Sequence, residues 1–136
     1  MLAAYAGLFA WSFLAATVLP LSSEAPLAAI VYRRREWIVP VLVATAGNYL
    51  GACTTYALAR WASRAADLDR APRLARASRL VTRYGAPALL LSWVPVIGDG
   101  LVAVAGAARM PFGRFSIAVV IGKAARYVAV AWLALA

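Results

Sequence analysis

The chain has no histidine, one cysteine and only five acidic residues among 136, and each scarcity excludes a class of function. Without histidine there is no Ser–His or Cys–His nucleophile pair, no HExxH metal helix and no imidazole ligand. With Cys53 alone there is no intrachain disulfide and no thiolate metal cluster. Cys53 itself reads as a small packing residue. Charged residues are 14% of the chain against the ~25% of soluble domains, and hydrophobic residues 65% against ~45–50%. That composition fits a membrane protein and excludes a soluble enzyme; no catalytic set, metal or cofactor is expected. The net charge of +9 would otherwise suggest a nucleic-acid partner. Most of it lies in one stretch between apolar blocks, so it reads as membrane-surface charge, and no nucleic acid is expected.

Leu2 to Ala16 is apolar, yet no Lys or Arg precedes it and no small-x-small cleavage site follows before Pro20. It is read as a retained first segment and not as a cleaved signal peptide. A spanning helix needs ~20 apolar residues, and only Trp37 to Ala59 meets that without a charge. The block from Leu2 to Tyr32 is interrupted by Pro20, Glu24 and Pro26. The block from Tyr84 to Ala108 is broken by Pro95, Gly98, Asp99 and Gly100. The last block, Phe115 to Ala136, carries Lys123 and Arg126 near its middle. After Asp99 about nine residues remain before Arg109, ~13 Å of helix, and after Glu24 a similar run leads to Arg33; neither return arm reaches across a bilayer. Each broken block is therefore expected to be a re-entrant hairpin of two half-helices, with Pro20 in the first, Pro95 and Gly98 in the second, and an acid near each tip.

Displacing the sequence by about 75 residues lays Pro20 on Pro95, Glu24 on Asp99, Arg34 on Arg109, Gly47 on Gly122 and Asn48 on Lys123. The order acid, short apolar arm, Arg, span with Gly recurs. The fold expected is an all-α membrane protein in a single domain: a first repeat over about 1–59, a basic connector over 60–83 and a second repeat over about 84–136. One span per half inverts the second copy relative to the first, the arrangement by which many secondary transporters build a midplane site.

The connector carries Arg60, Arg64, Arg70, Arg73, Arg76, Arg79 and Arg83, the last four at helical spacing. It is expected to lie on anionic headgroups, as a positive-inside anchor or as a gathering site for anionic lipid. With Arg109 and Arg114 it places one face of the protein in the cytoplasm; Arg33, Arg34 and Arg35 fall on the other.

Glu24, Asp99, Lys123 and Arg126 stand inside apolar sequence, where a charge costs at least ~2.5–3.5 kcal/mol and so needs a partner, a water cavity or a purpose. Lys123 and Arg126 share a helix face. Two acids and two bases can close a bundle as a purely structural network. Alternatively Glu24 and Asp99 bind and release protons while Lys123 and Arg126 hold an anion. Half-helix N-termini favour a phosphate or carboxylate, and Ser22, Ser23, Gly98 and Gly100 leave room for backbone to approach one. Asn48 reads equally as an interhelical hydrogen bond or a ligand contact, and Gly47-x-x-x-Gly51 as a close helix approach. The five tryptophans fit interfaces or packing.

The runs Leu19-Pro20-Leu21-Ser22-Ser23-Glu24, Arg83-Tyr84-Gly85-Ala86, Leu91-Ser92-Trp93-Val94-Pro95-Val96-Ile97-Gly98-Asp99 and Gly122-Lys123-Ala124-Ala125-Arg126-Tyr127-Val128-Ala129 resemble the YqaA branch of the DedA superfamily, whose members carry the VTT or SNARE-associated domain. The resemblance implies a multi-pass protein of the bacterial inner membrane with two facing re-entrant hairpins. It also implies translocation of polyprenyl phosphate or phospholipid, with proton dependence. The superfamily's Ser-Glu hairpin acid carries onto Ser23 and Glu24. The arginines of the main-branch Arg-Phe-x-Pro-x-x-Arg signature are replaced by Ser92 and Gly98, which leaves Lys123 and Arg126 as candidates for the missing positive charge.

The expected function is a flippase for an anionic lipid. Glu24 and Asp99 serve as coupling sites, with Lys123, Arg126, Arg109, Ser23 and Asn48 toward the anion. The alternatives are a non-transporting membrane protein that supports folding or a partner, and an intramembrane aspartyl hydrolase, whose usual Gly-x-Gly-Asp is absent here. So few spans enclose little space, which makes a homodimer an open reading. In any arrangement that uses them, the two acids should lie near each other and near Lys123 or Arg126.

Overall fold

The computed structural model describes residues 1–17, 22–62, 79–94 and 97–136. Pro20, Pro95 and the connector arginines 64, 70, 73 and 76 lie outside the described residues. Among those described, every regular element is helical: α1 (Leu2–Ala15), α2 (Glu24–Arg34), α3 (Ile38–Ala62), a 3-10 helix (Ala86–Trp93), α4 (Ile97–Ala107) and α5 (Phe112–Leu135).

Local chemistry accounts for the boundaries. Pro26, which the sequence suggested as an interruption, sits in the first turn of α2, where a missing N–H costs nothing; it starts the helix and does not break it. Pro40 plays the same part in α3, and Pro111 caps α5. Arg60, expected to open the connector, instead lies in the last turn of α3, where a cation meets the negative end of the helix dipole. The two short helices end alike. Arg35 closes α2 and Arg109 follows α4 with φ of 54° and 57°, left-handed conformations that turn the chain into the next long helix. The arm before α4 is a 3-10 helix rather than an α-helix. At ~2.0 Å per residue its eight residues reach ~16 Å, as far as eleven residues of α-helix.

α3 and α5, with 25 and 24 residues, are the two helices among those described that are long and apolar enough to cross a membrane. They run antiparallel. Trp37 meets Trp132 edge-on at 6.4 Å at one end, and Tyr56 packs on Phe112 and Phe115 at 5.7 and 4.4 Å at the other. About a third of each is buried; residues such as Leu42, Leu58, Ile117 and Leu133 stay exposed. Apolar surface of that extent is suited to lipid, not water.

The packing crosses over between halves. α3 receives α1 on one side and α4 on the other, while α5 receives the 3-10 helix and α2. Two apolar clusters follow, one around Tyr56, Leu89, Leu101 and Phe115, the other around Leu8, Leu27, Val31 and Tyr127. Glycines make the closest approaches. A Cβ on Gly47 would lie 2.5 Å from the Phe9 carbonyl oxygen of α1, and one on Gly122 would lie 2.5 Å from Ser92 Oγ and 3.0 Å from the Leu90 carbonyl oxygen of the 3-10 helix.

Candidate functional site

Lys123 and Arg126 lie eleven and fourteen residues into α5, ~16 and ~21 Å along a helix ~36 Å long, and so bracket its midpoint. α2 brings Glu24 to them from one side, and α4 brings Asp99 from the other. Both acids stand in the first turn of their helix, where the positive dipole end favours a carboxylate. The positions that the sequence offered to a foreign anion are thus held by the protein's own carboxylates.

Glu24 and Arg126 form the tighter pair. Arg126 Nε lies 3.0 Å from Glu24 Oε1, although its N–H is not aimed at that oxygen, so the contact is an ion pair and not a hydrogen bond. Ser22 Oγ donates to Glu24 Oε2 at 2.5 Å. Arg126 Nη2 donates to Ser23 Oγ at 3.2 Å and reaches Tyr127 OH at 3.5 Å. Ser23 Oγ and Tyr127 OH share a 2.6 Å hydrogen bond, and both residues are fully buried. The Arg126 guanidinium also lies 5.1 Å from the Tyr127 ring centroid.

Asp99 and Lys123 are tied far more loosely. Lys123 Nζ is 3.9 Å from Asp99 Oδ1, beyond hydrogen-bond length. The lysine side chain is 1% exposed and the aspartate side chain 44%. Lys123 Nζ has no hydrogen-bond partner, and neither does Ser92 Oγ, which is buried against Gly122. Gly98 fits beneath the Ser92 carbonyl, where a Cβ would collide, and this allows α4 to begin so close to the 3-10 helix.

The other candidates fall elsewhere. Asn48 donates from Nδ2 to the Ser12 carbonyl at 3.0 Å and holds α1 to α3; its Oδ1 is buried without a partner, an acceptor unsuited to an anion. Arg109 lies past the end of α4, at least ~12 Å along the helix from Asp99, because α4 runs away from the midpoint. It is exposed at the α4–α5 corner. Near that corner Arg60 Nη1 donates to Tyr56 OH at 3.1 Å, and Tyr56 OH donates to the Met110 carbonyl at 2.5 Å. At the opposite end Arg34 lies over the Tyr5 ring and Arg35 over that of Tyr32. An open apolar groove of about 580 Å³ lined by Phe13, Leu50, Cys53, Thr54, Ala57 and Leu58 carries no charge and belongs to the lipid-facing surface. No group of three metal-ligating side chains occurs among the described residues.

Tyr127 and Ser92 were not legible as members of the site. A tyrosine in an apolar helix reads as packing. The available signal was position: Tyr127 follows the buried Arg126, and a phenol in hydrocarbon requires a hydrogen-bond partner.

The family model of the VTT domain matches residues 1–134. The chain belongs to the VTT-domain family. Inner membrane protein YqaA of Escherichia coli is 44% identical over 127 residues, covering 91% of this chain and 86% of the relative. The same name, identity and coverage are found in Shigella flexneri. A protein of Haemophilus influenzae is 40% identical over 134 residues, 93% of this chain and 84% of its own length. No solved structure matches the chain. This VTT-domain chain brings four of its charged residues, Glu24, Asp99, Lys123 and Arg126, together near the midpoint of α5.

Proposed function

We propose that the protein is a multi-pass transporter or flippase of the bacterial inner membrane that moves an anionic lipid, a polyprenyl phosphate or a phospholipid, with coupling to protons. The inner-membrane placement follows that of the Escherichia coli relative, inner membrane protein YqaA. One observation carries the reading: the Asp99 carboxyl is 44% exposed at the depth where Lys123 is buried without a hydrogen bond. A carboxylate at mid-depth cannot face hydrocarbon, so its open side belongs to a water-filled or ligand-filled path. Lys123 and Arg126 supply the charge for a phosphate; Glu24 and Asp99 are the proton sites.

The same reading makes α1 with α2, and the 3-10 helix with α4, two re-entrant hairpins in inverted repeats. Its support is the recurrence of an eleven-residue helix, a left-handed arginine and a long helix, together with the antiparallel course of α3 and α5. The basic surface at Arg60, Arg79 and Arg83 faces anionic headgroups, and a homodimer encloses the path. The alternative of a purely structural network is favoured by one feature, the ion pair of Arg126 with Glu24 and its hydrogen bond to Ser23.

The test is flipping of a fluorescent polyprenyl phosphate in proteoliposomes, with and without a pH gradient. Gradient-dependent flipping by the wild type that is lost in Asp99→Asn is the expected result. A well-folded wild type that flips neither a polyprenyl phosphate nor a fluorescent phospholipid overturns the reading.

A further inference from the structure

Lys123 is the one described charged side chain that is buried to 1% exposure and yet has no hydrogen bond to its ammonium. Three charged groups act on it: Asp99 from α4, Glu24 from α2 and Arg126 on its own helix. The 3-10 helix presents the neutral Ser92. α3 presents no charge there: Asn48 is bonded to Ser12, and Tyr49, which is titratable, has its hydroxyl bonded to Ser116 at 2.7 Å. Glu24 is already committed to Arg126 and Ser22. Asp99 is therefore the counterion of Lys123, held at 3.9 Å and half open. An ammonium desolvated this far, with a counterion this distant and a second buried donor in Ser92 also unused, has capacity for an anion that is not part of the chain.

We propose that Lys123 exchanges counterions: the Asp99 carboxylate holds it in the resting state, and the phosphate of the lipid takes it when Asp99 is protonated, while the Glu24–Arg126–Ser23–Tyr127 cluster stays closed throughout. This rests on the transport reading and narrows it: Lys123 takes the phosphate and Asp99 the exchanged proton, while Arg126 and Glu24 hold the frame beside them. The step balances. Asp99 takes one proton from water on its exposed side, Lys123 keeps its own proton and charge, and one monoanionic phosphate enters, so the net charge of the site is unchanged. Ser92 Oγ–H, buried and without a partner, is the further donor for the phosphate oxygens. Two anions cannot share one ammonium at this depth, which makes binding of one proton and binding of one phosphate mutually dependent.

The experiment measures binding by calorimetry to the full chain in detergent, at about pH 5.5 and about pH 8, with farnesyl phosphate, farnesol and inorganic phosphate as probes. The second ionisation of a phosphate monoester, near pH 6, is common to all protein variants and cancels in ratios of affinity. The wild type should bind farnesyl phosphate and not farnesol; binding of inorganic phosphate as well would assign the site to phosphate rather than to the lipid as a whole. Relative to wild type, Asp99→Asn should bind tighter by a factor that grows roughly tenfold or more from low to high pH, as loss of one linked proton requires. Lys123→Gln should lose binding at both pH values. Tyr127→Phe, which loosens the other cluster, should keep the wild-type pH dependence. An Asp99→Asn protein with the wild-type pH dependence, or a Tyr127→Phe protein without it, overturns the exchange, as does undiminished binding by Lys123→Gln. Absence of flipping in proteoliposomes with this binding pattern intact would remove transport and leave the exchange standing.

Discussion

The Glu24 side and the Asp99 side of the site are built from the same parts and differ in how firmly they are tied. Each has an acid in the first turn of an eleven-residue helix, a base near the middle of α5 and a serine close by. On the Glu24 side both serines and a tyrosine complete the network. On the Asp99 side the serine, Ser92, and the lysine are both unbonded, and the acid opens outward. Parts at matching positions are thus joined by several hydrogen bonds on one side, although Arg126 Nε makes none, while Lys123 Nζ and Ser92 Oγ make none on the other. The lesson is that pairing of charge in a membrane bundle does not by itself indicate function; the unfilled hydrogen-bonding capacity does.

That contrast can be broken most severely at the backbone contacts beneath it. Gly47→Ala drives a Cβ onto a main-chain oxygen and should cost about 3 kcal/mol. Gly122→Ala first meets a side-chain hydroxyl and should cost about 1–2 kcal/mol, part of it recovered by adding Ser92→Ala. Thermal unfolding in detergent reads both; equal costs without rescue would mean that the two contacts are equally rigid. Arg126→Met should destabilise by about 2 kcal/mol, since it leaves Glu24 without its counterion and Ser23 with Tyr127 alone. Lys123→Met should have the opposite sign, a gain of about 1 kcal/mol, because it removes a buried charge that lacks a hydrogen bond. A loss at Lys123 as large as that at Arg126 would erase the distinction. Tyr127→Phe should cost about 1 kcal/mol for its bond to Ser23. Asn48→Ala, which removes one bond between helices, should cost only about 0.6 kcal/mol.

Much of this was visible in the residues, for identifiable reasons. Glu24, Asp99, Lys123 and Arg126 were conspicuous because charge is so costly in apolar sequence, and α3 was conspicuous as a charge-free run. Which acid meets which base was not visible, because Lys123 and Arg126 share one face and α2 and α4 approach it from different sides. The 3-10 geometry over Ala86–Trp93, which lays the carbonyls of Leu89 and Leu90 against Gly122, left no trace in the pattern. Arg109 matched Arg34 in sequence and was assigned to the anion; the fold leaves it at a corner because α4 leads away from the site. Hydrogen bonding by Ser23 and Tyr127 joins residues 104 apart, a separation no local motif encodes.

The crossed packing, with α2 seated on α5, also bears on how the chain is made. Glu24 leaves the ribosome roughly 100 residues before Arg126, which at ~5–20 residues per second is an interval of ~5–20 s. Throughout that interval Arg126, the base that the acid pairs with in the folded chain, has not been made. The ion pair that ties α2 to α5 can therefore form only once α5 has been made. Assembly of the second half is in this sense the maturation signal for the first.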